Sequence, residues 1–122
     1  MDFVGRIDLG SEFGKVKLVL LGQAKCEKLN RPTGGNHVAR TIARLKRGGV
    51  GAYVTTSYFS DRVQREILSD GVPILLINGQ RVAQEVLRLT QKRGFSHHHE
   101  FLKAVDASYQ TVNRRPEEIL FL

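Results

Sequence analysis

The chain has a single cysteine, Cys26, so no disulfide can close within it, and a reducing cytoplasm is the setting that suits it. Long apolar runs are missing as well. Stretches such as "LVLL", Leu18 to Leu21, are far too short to cross a bilayer, which excludes a membrane-spanning role. The opening residues lack the basic start and apolar stretch of a secretory signal. No glycine-rich phosphate fingerprint follows a strand, which argues against a small-molecule-binding α/β domain. Repeats and low-complexity segments are absent too. Acid is the scarcer charge: 12 Asp and Glu stand against 19 Lys and Arg, for a net +7. That excess favours a polyanionic partner, with nucleic acid ahead of an anionic membrane.

What is present fits one compact domain. With 122 residues, 41% apolar and 25% charged, the chain can bury a real core but has little room for a second one. "DFVGRIDL" and "KVKLVLLGQAK" read as strands joined by "GSEFG", a hairpin. After the breaker "EKLNRPTGGN", the segment "HVARTIARLKR" places Val38, Ile42 and Leu45 on one helical stripe, stopped by Gly48 and Gly49. "VGAYVTT" reads as a buried strand. "SDRVQREILSDG" reads as a helix capped by Ser60 and closed by Gly71. "VPILLI" is the next strand, and the turn at Asn78 and Gly79 leads into a helix through Val82, Val86 and Leu89. A last helix runs from about His98 to Val112, followed by "PEEILFL". The order β-β-α-β-α-β-α-α predicts an α/β fold: a mixed sheet that starts with a hairpin and carries helices on its faces. The chain opens almost inside a strand, as a fragment would, or a domain parted from an upstream portion.

Side chains alternate along a strand, so Gln23 and Lys25 share a face with Val19 and Leu21. Leu20, Gly22, Ala24 and Cys26 face the other way. That second set is small and apolar, and it predicts a packing face beneath a helix with Cys26 as a buried structural thiol. The first set turns polar where the strand leaves the core. If Gly10 pairs with Lys15 across the hairpin, Asp2 falls opposite Gln23 with Cβ atoms about 5 Å apart. Asp8 falls near Lys17 instead, about 26 Å from Lys25 at strand rise. Asp2 is therefore the acid that the geometry selects.

Asp2, Gln23 and Lys25 at one strand end suit metal-dependent phosphodiester hydrolysis. The carboxylate offers Mg²⁺ a hard oxygen, the Gln23 amide a neutral one, and the Ala24 carbonyl between them a third. Lys25 can orient the attacking water and offset charge in the transition state. A Gln in place of a carboxylate removes one negative charge, which predicts weaker metal binding.

These residues also carry a resemblance. "DFVGRIDLG…LGQAKCE", with Asp2 ahead of a Gln-x-Lys, resembles the PD-(D/E)xK nucleases in their Gln-x-Lys variant. More closely, the chain is similar to the catalytic domain of modification-dependent restriction endonucleases of the MspJI kind, related to Mrr. "ARLKRGGVGAYVTTSYFS" and "PILLINGQRVA" extend the likeness. The resemblance implies a restriction-endonuclease-like fold and a DNA-cleaving domain that uses Mg²⁺, with Mn²⁺ as a substitute, and leaves 5′-phosphate ends. It matches Asp2 to the metal-binding Asp, Gln23 to the Gln and Lys25 to the Lys. In such enzymes a separate SRA-type domain upstream recognises 5-methylcytosine or 5-hydroxymethylcytosine. On this reading residues 1–122 form a single endonuclease-like catalytic domain. It has a family-like core over 1–93, a helical extension over 94–122, and neither the recognition domain nor the helix that usually precedes the first strand. One site cuts one strand of double-stranded DNA, so double-strand cleavage implies a homo-oligomer.

Other signals are weighed beside their plainer readings. Arg40, Arg44 and Arg47 fall on one helical face and read either as phosphate contacts or as a solvated surface. Gly34, Gly35 and Asn36 before that helix admit a phosphate or simply make a turn. Glu27 shares the Gln23 face as a substitute acid of second rank, and Glu12 reads as solvated. Thr55, Thr56 and Ser57 end a strand, with caps and turns ahead of a groove role. His97, His98 and His99 point about 100° apart if helical, which keeps them from converging on one ion without an irregular backbone and predicts a wet helix start. The rival to a nuclease is a non-catalytic DNA-binding or assembly module, which keeps the charge and lacks metal-dependent nicking.

Overall fold

The computed structural model describes residues 2–45 and 49–108. Two strands come first, β1 (Phe3–Ser11) and β2 (Gly14–Lys25), followed by α1 (Gly35–Ala43) and β3 (Val50–Thr55). Then come α2 (Asp61–Asp70), β4 (Ile74–Ile77), α3 (Gly79–Lys92) and α4 (His98–Ser108). The expected element order holds throughout. The strands form one sheet in the order β1-β2-β3-β4, with β1 antiparallel to β2 and the remaining pairs parallel. This is the hairpin-first mixed sheet that the sequence pattern predicts.

The hairpin register is also the expected one, with Gly10 opposite Lys15 and Phe3 opposite Gly22. Gly10 has φ of +133°, and a Cβ there would lie 2.0 Å from the Gly14 carbonyl oxygen. Only glycine turns the chain so tightly. The strands nevertheless continue further than expected, since Ser11 still pairs with Gly14 and leaves a two-residue turn at Glu12 and Phe13.

Helix ends follow their local chemistry. Ser60 caps α2 by accepting from the Val63 amide, and Gly71 closes it in the left-handed conformation. Asn78 caps α3 through the Arg81 amide, which makes Asn-Gly a helix entry and not a hairpin. A Cβ on Gly79 would come within 2.1 Å of the Thr56 carbonyl oxygen, so the α3 start is laid directly on the end of β3. α1 departs from expectation. It begins at Gly35 and ends at Ala43, with Arg44 and Leu45 drawing their amides back to Thr41 and Ile42. The expected continuation of α1 through Arg47, that of the last helix from Ser108 to about Val112, and the "PEEILFL" segment after it lie outside the described residues.

The core gathers Val38 of α1, Tyr53 of β3, Phe59, Val63 of α2 and Ile74 of β4, with Ile42, Ile67, Val72 and Leu76 packed around them. Tyr53 meets Phe59 edge to face at 5.9 Å. This core corrects the packing face expected for β2. Tyr53 is the register partner of Gln23, so α1 and α2 cover the face of Leu21, Gln23 and Lys25. Ala24 and Cys26 on the other face are exposed, and Cys26 is not a buried thiol. The small residue Gly22 serves β1 instead of a helix: the Phe3 ring fills the space where a Cβ would stand, 1.8 Å away.

Candidate active site

Asp2 stands just ahead of β1 and joins β2 through its amide, which donates to the Gly22 carbonyl at 3.0 Å. Its carboxylate then turns onto the next residues of β2. Asp2 Oδ2 accepts from Gln23 Nε2 and from the Ala24 amide, both at 2.8 Å. These two bonds fix the direction of the carboxylate. The amide nitrogen of Gln23 is thereby committed, which leaves Oε1 as the Gln23 atom with lone pairs to offer.

Lys25 lies two residues further along the same face, and its contacts are with other groups than Asp2. Its ammonium is 3.3 Å from Glu27 Oε1 and lies against the His37 ring of α1, 2.9 Å from Nε2 and 3.3 Å from Nδ1. Glu27 is held at that place by a single hydroxyl: its amide donates to Thr56 Oγ1, and Thr56 Oγ1 donates to the Glu27 carbonyl, each at 2.7 Å. Tyr53 forms the floor. Burial pushes its hydroxyl above the ordinary tyrosine range, and the negative charges of Glu27 and Asp2 push it further. Two carboxylates, one ammonium and one protonated phenol thus share the mouth of β1, β2 and β3.

The other sequence candidates sort clearly. Asn36, Arg40 and Arg44 are exposed on or just after α1, and Arg40 and Arg44 stand three and seven residues beyond His37 on one helical stripe. Arg47 lies outside the described residues. Thr55 and Ser57 are buried in structural bonds, Thr55 with Thr33 at 3.0 Å and Ser57 with the Arg31 carbonyl. His37 and Tyr53 are the members of the site that strand alternation did not select. The helical stripe that His37 shares with Arg40 and Arg44 is the signal that could have found it.

Two solved structures resemble the chain along most of its length. One is the MspJI restriction endonuclease in complex with a 27-mer oligonucleotide, with 40% identity over 98% of this chain and a TM-score of 0.89. The chain thus resembles part of a restriction endonuclease. AspBHI, a DNA modification-dependent restriction endonuclease, matches 87% of the chain at 28% identity with a TM-score of 0.71. This restriction-endonuclease-like chain spans 27% of the length of each of the two. No family model and no curated protein matches it. Its hairpin-first sheet with flanking helices is the restriction-endonuclease-like fold.

The histidine triplet of this restriction-endonuclease-like chain lies at a helix start, as expected. α4 starts at His98, so His97 precedes the helix, and the irregular backbone there brings ligand atoms of all three within 4.8 Å of one another. The rings stack, at 4.4 Å between His97 and His98. His97 Nδ1 accepts from the His99 amide, a helix-start cap. Loss of solvent, then the neighbouring imidazoles, hold His98 below the ordinary histidine range. An NMR titration of His98 should therefore give a midpoint below about 6.5, moving part of the way back when His97 and His99 both become Gln. A midpoint at or above the ordinary value contradicts the stack.

Proposed function

We propose that this chain is a divalent-metal-dependent DNA nuclease module, the cleavage part of an enzyme directed to modified cytosine. The observation that carries the reading is the Asp2 carboxylate bonded to Gln23 and Ala24 at the end of β2, with Lys25 on the same face. The likeness to MspJI, which was solved with an oligonucleotide, supports DNA as the substrate.

The donor set fits Mg²⁺, with Mn²⁺ as a substitute. Asp2 offers an ionised oxygen, Gln23 a neutral amide oxygen, and Ala24 a main-chain carbonyl, all hard ligands at one point of the sheet. When bound, the ion supplies Lewis-acid polarisation of the phosphodiester and a more acidic water. The chain's own residues do the rest. Lys25 orients the attacking water and opposes the charge that builds on the phosphate oxygens. Arg40 and Arg44, with Asn36 and Arg47, hold the DNA backbone through phosphate contacts. Water adds to phosphorus as the bond to the 3′ oxygen breaks, which leaves a 5′-phosphate end. One such site cuts one strand, so two copies act on a duplex.

Supercoiled plasmid with Mg²⁺ or with EDTA tests the reading. Metal-dependent nicking that Lys25→Ala abolishes supports it. DNA binding without metal-dependent nicking makes the chain a non-catalytic DNA-binding module and refutes a nuclease. Binding should weaken in Arg40→Ala and Arg44→Ala, with the slope of log K against log salt falling by about 0.9 for each phosphate no longer neutralised. An unchanged slope in both variants removes α1 from the interface.

A further inference from the structure

Lysine at a strand end is a loose group. Its flexible four-carbon stem samples many rotamers, and its ammonium is a compact charge with no directional preference of its own. A lysine that must meet one phosphate oxygen or one water needs to be held. Lys25 is held from two sides by groups on separate parts of the chain, Glu27 Oε1 at 3.3 Å and His37 Nε2 at 2.9 Å.

Both supports stand on fixed backbone. The Glu27 main chain is tied at its amide and at its carbonyl to Thr56, whose own amide donates to the Lys25 carbonyl at 3.2 Å. His37 sits one residue before Val38, which is 2% exposed in the core. The two supports also differ in chemistry. Glu27 opposes the lysine charge. An ammonium only donates, and it faces both ring nitrogens of His37, 2.9 Å from Nε2 and 3.3 Å from Nδ1.

We propose that His37 is a positioning residue for Lys25, working with Glu27 as a two-sided clamp. An ammonium has three N–H bonds. Those not turned to Glu27 and His37 are left for the substrate. His37 shares its helical stripe with Arg40 and Arg44, so the helix that takes up the DNA backbone is the helix that sets the lysine. This inference rests on the reading of Lys25 as a group that acts at the scissile phosphate.

Two measurements test it, one of which needs neither metal nor DNA. In the first, limiting acylation by an amine-reactive ester is followed by mass spectrometry, with exposed Lys28 as the reference in the same sample. Lys25 should react several-fold faster relative to Lys28 in His37→Ala, and His37→Gln, which keeps an acceptor, should bring it back towards wild type. Equal relative rates in wild type and His37→Ala overturn the clamp. In the second, plasmid nicking at saturating DNA should slow about 10- to 100-fold in His37→Ala, with the half-saturating DNA concentration unchanged and most of the rate regained in His37→Gln. A wild-type rate, or a loss seen only in half-saturation, overturns the positioning role. If the wild type does not nick at all, the nuclease reading fails while acylation still decides the clamp. If His37→Ala does not fold, His37→Gln against His37→Leu puts the same question with the side-chain volume filled: equal acylation and nicking in the two overturn it, and a deficit in His37→Leu alone supports it.

Discussion

Asp2→Ala should lower metal-dependent plasmid nicking by at least about 100-fold, in the range that follows loss of a single group stabilising transition-state charge, and leave the fold in place. Asp2 is exposed and precedes β1, and its side chain makes two hydrogen bonds through one oxygen. Bonds to a charged group contribute about 1.5–3 kcal/mol each and less where water screens them, and the hairpin ladder from Phe3 to Ser11 does not depend on them. The loss in activity arises elsewhere. Asp2 is the ionised ligand of the proposed donor set, and Gln23 and Ala24 are neutral, so the variant retains no anionic donor there. Asp2→Asn sharpens the test, because it keeps the shape and an acceptor for the Ala24 amide but removes the charge. Nicking within about tenfold of wild type in both variants would show that the carboxylate does not hold the ion.

Tyr53→Ala should destabilise the protein by about 3–5 kcal/mol, the usual cost of truncating a buried aromatic ring. Tyr53 is 1% exposed, packs edge to face on Phe59, and lies in one cluster with Val38 of α1, Val63 of α2 and Ile74 of β4. Its removal leaves a cavity where both helices meet the sheet. A small domain has only about 5–15 kcal/mol in total, so the loss is a large share. Tyr53 is also the register partner of Gln23, and the cavity opens directly beneath the site. Tyr53→Phe keeps the ring and should retain most of the stability. Urea unfolding measures both, and a loss below about 1 kcal/mol for the alanine variant would show that the ring does not anchor the core.

Short-range rules account for much of the fold. Hairpin register followed from the placement of Gly10 and Lys15, and that register alone put Asp2 beside Gln23. Ser60, Gly71 and Asn78 ended their helices as their side chains and backbone freedom dictate. Expectation failed where a contact joins segments distant in sequence. Alternation divides β2 into two faces but carries no sign for how far each is covered, so Ala24 and Cys26 were assigned to packing positions and are exposed, while Gly22 and its partner Ala52 on the same face are buried. Gly22 looked like room for a helix and is instead room for the Phe3 ring across the hairpin. The histidine triplet stands at the expected helix start, and the non-helical backbone at His97 is the irregularity that lets its ligand atoms come together.

The amino-acid order by itself determined the alternation of strand and helix, the hairpin pairing and the meeting of an acid with an amide at its open end. These depend on spacing and on backbone preferences within a few residues, which a linear chain displays directly. Which face of the sheet is covered, and that His37 and Glu27 close on Lys25, were decided only in three dimensions, because α1 reaches β2 only after the chain has packed Val38 and Tyr53 into one core.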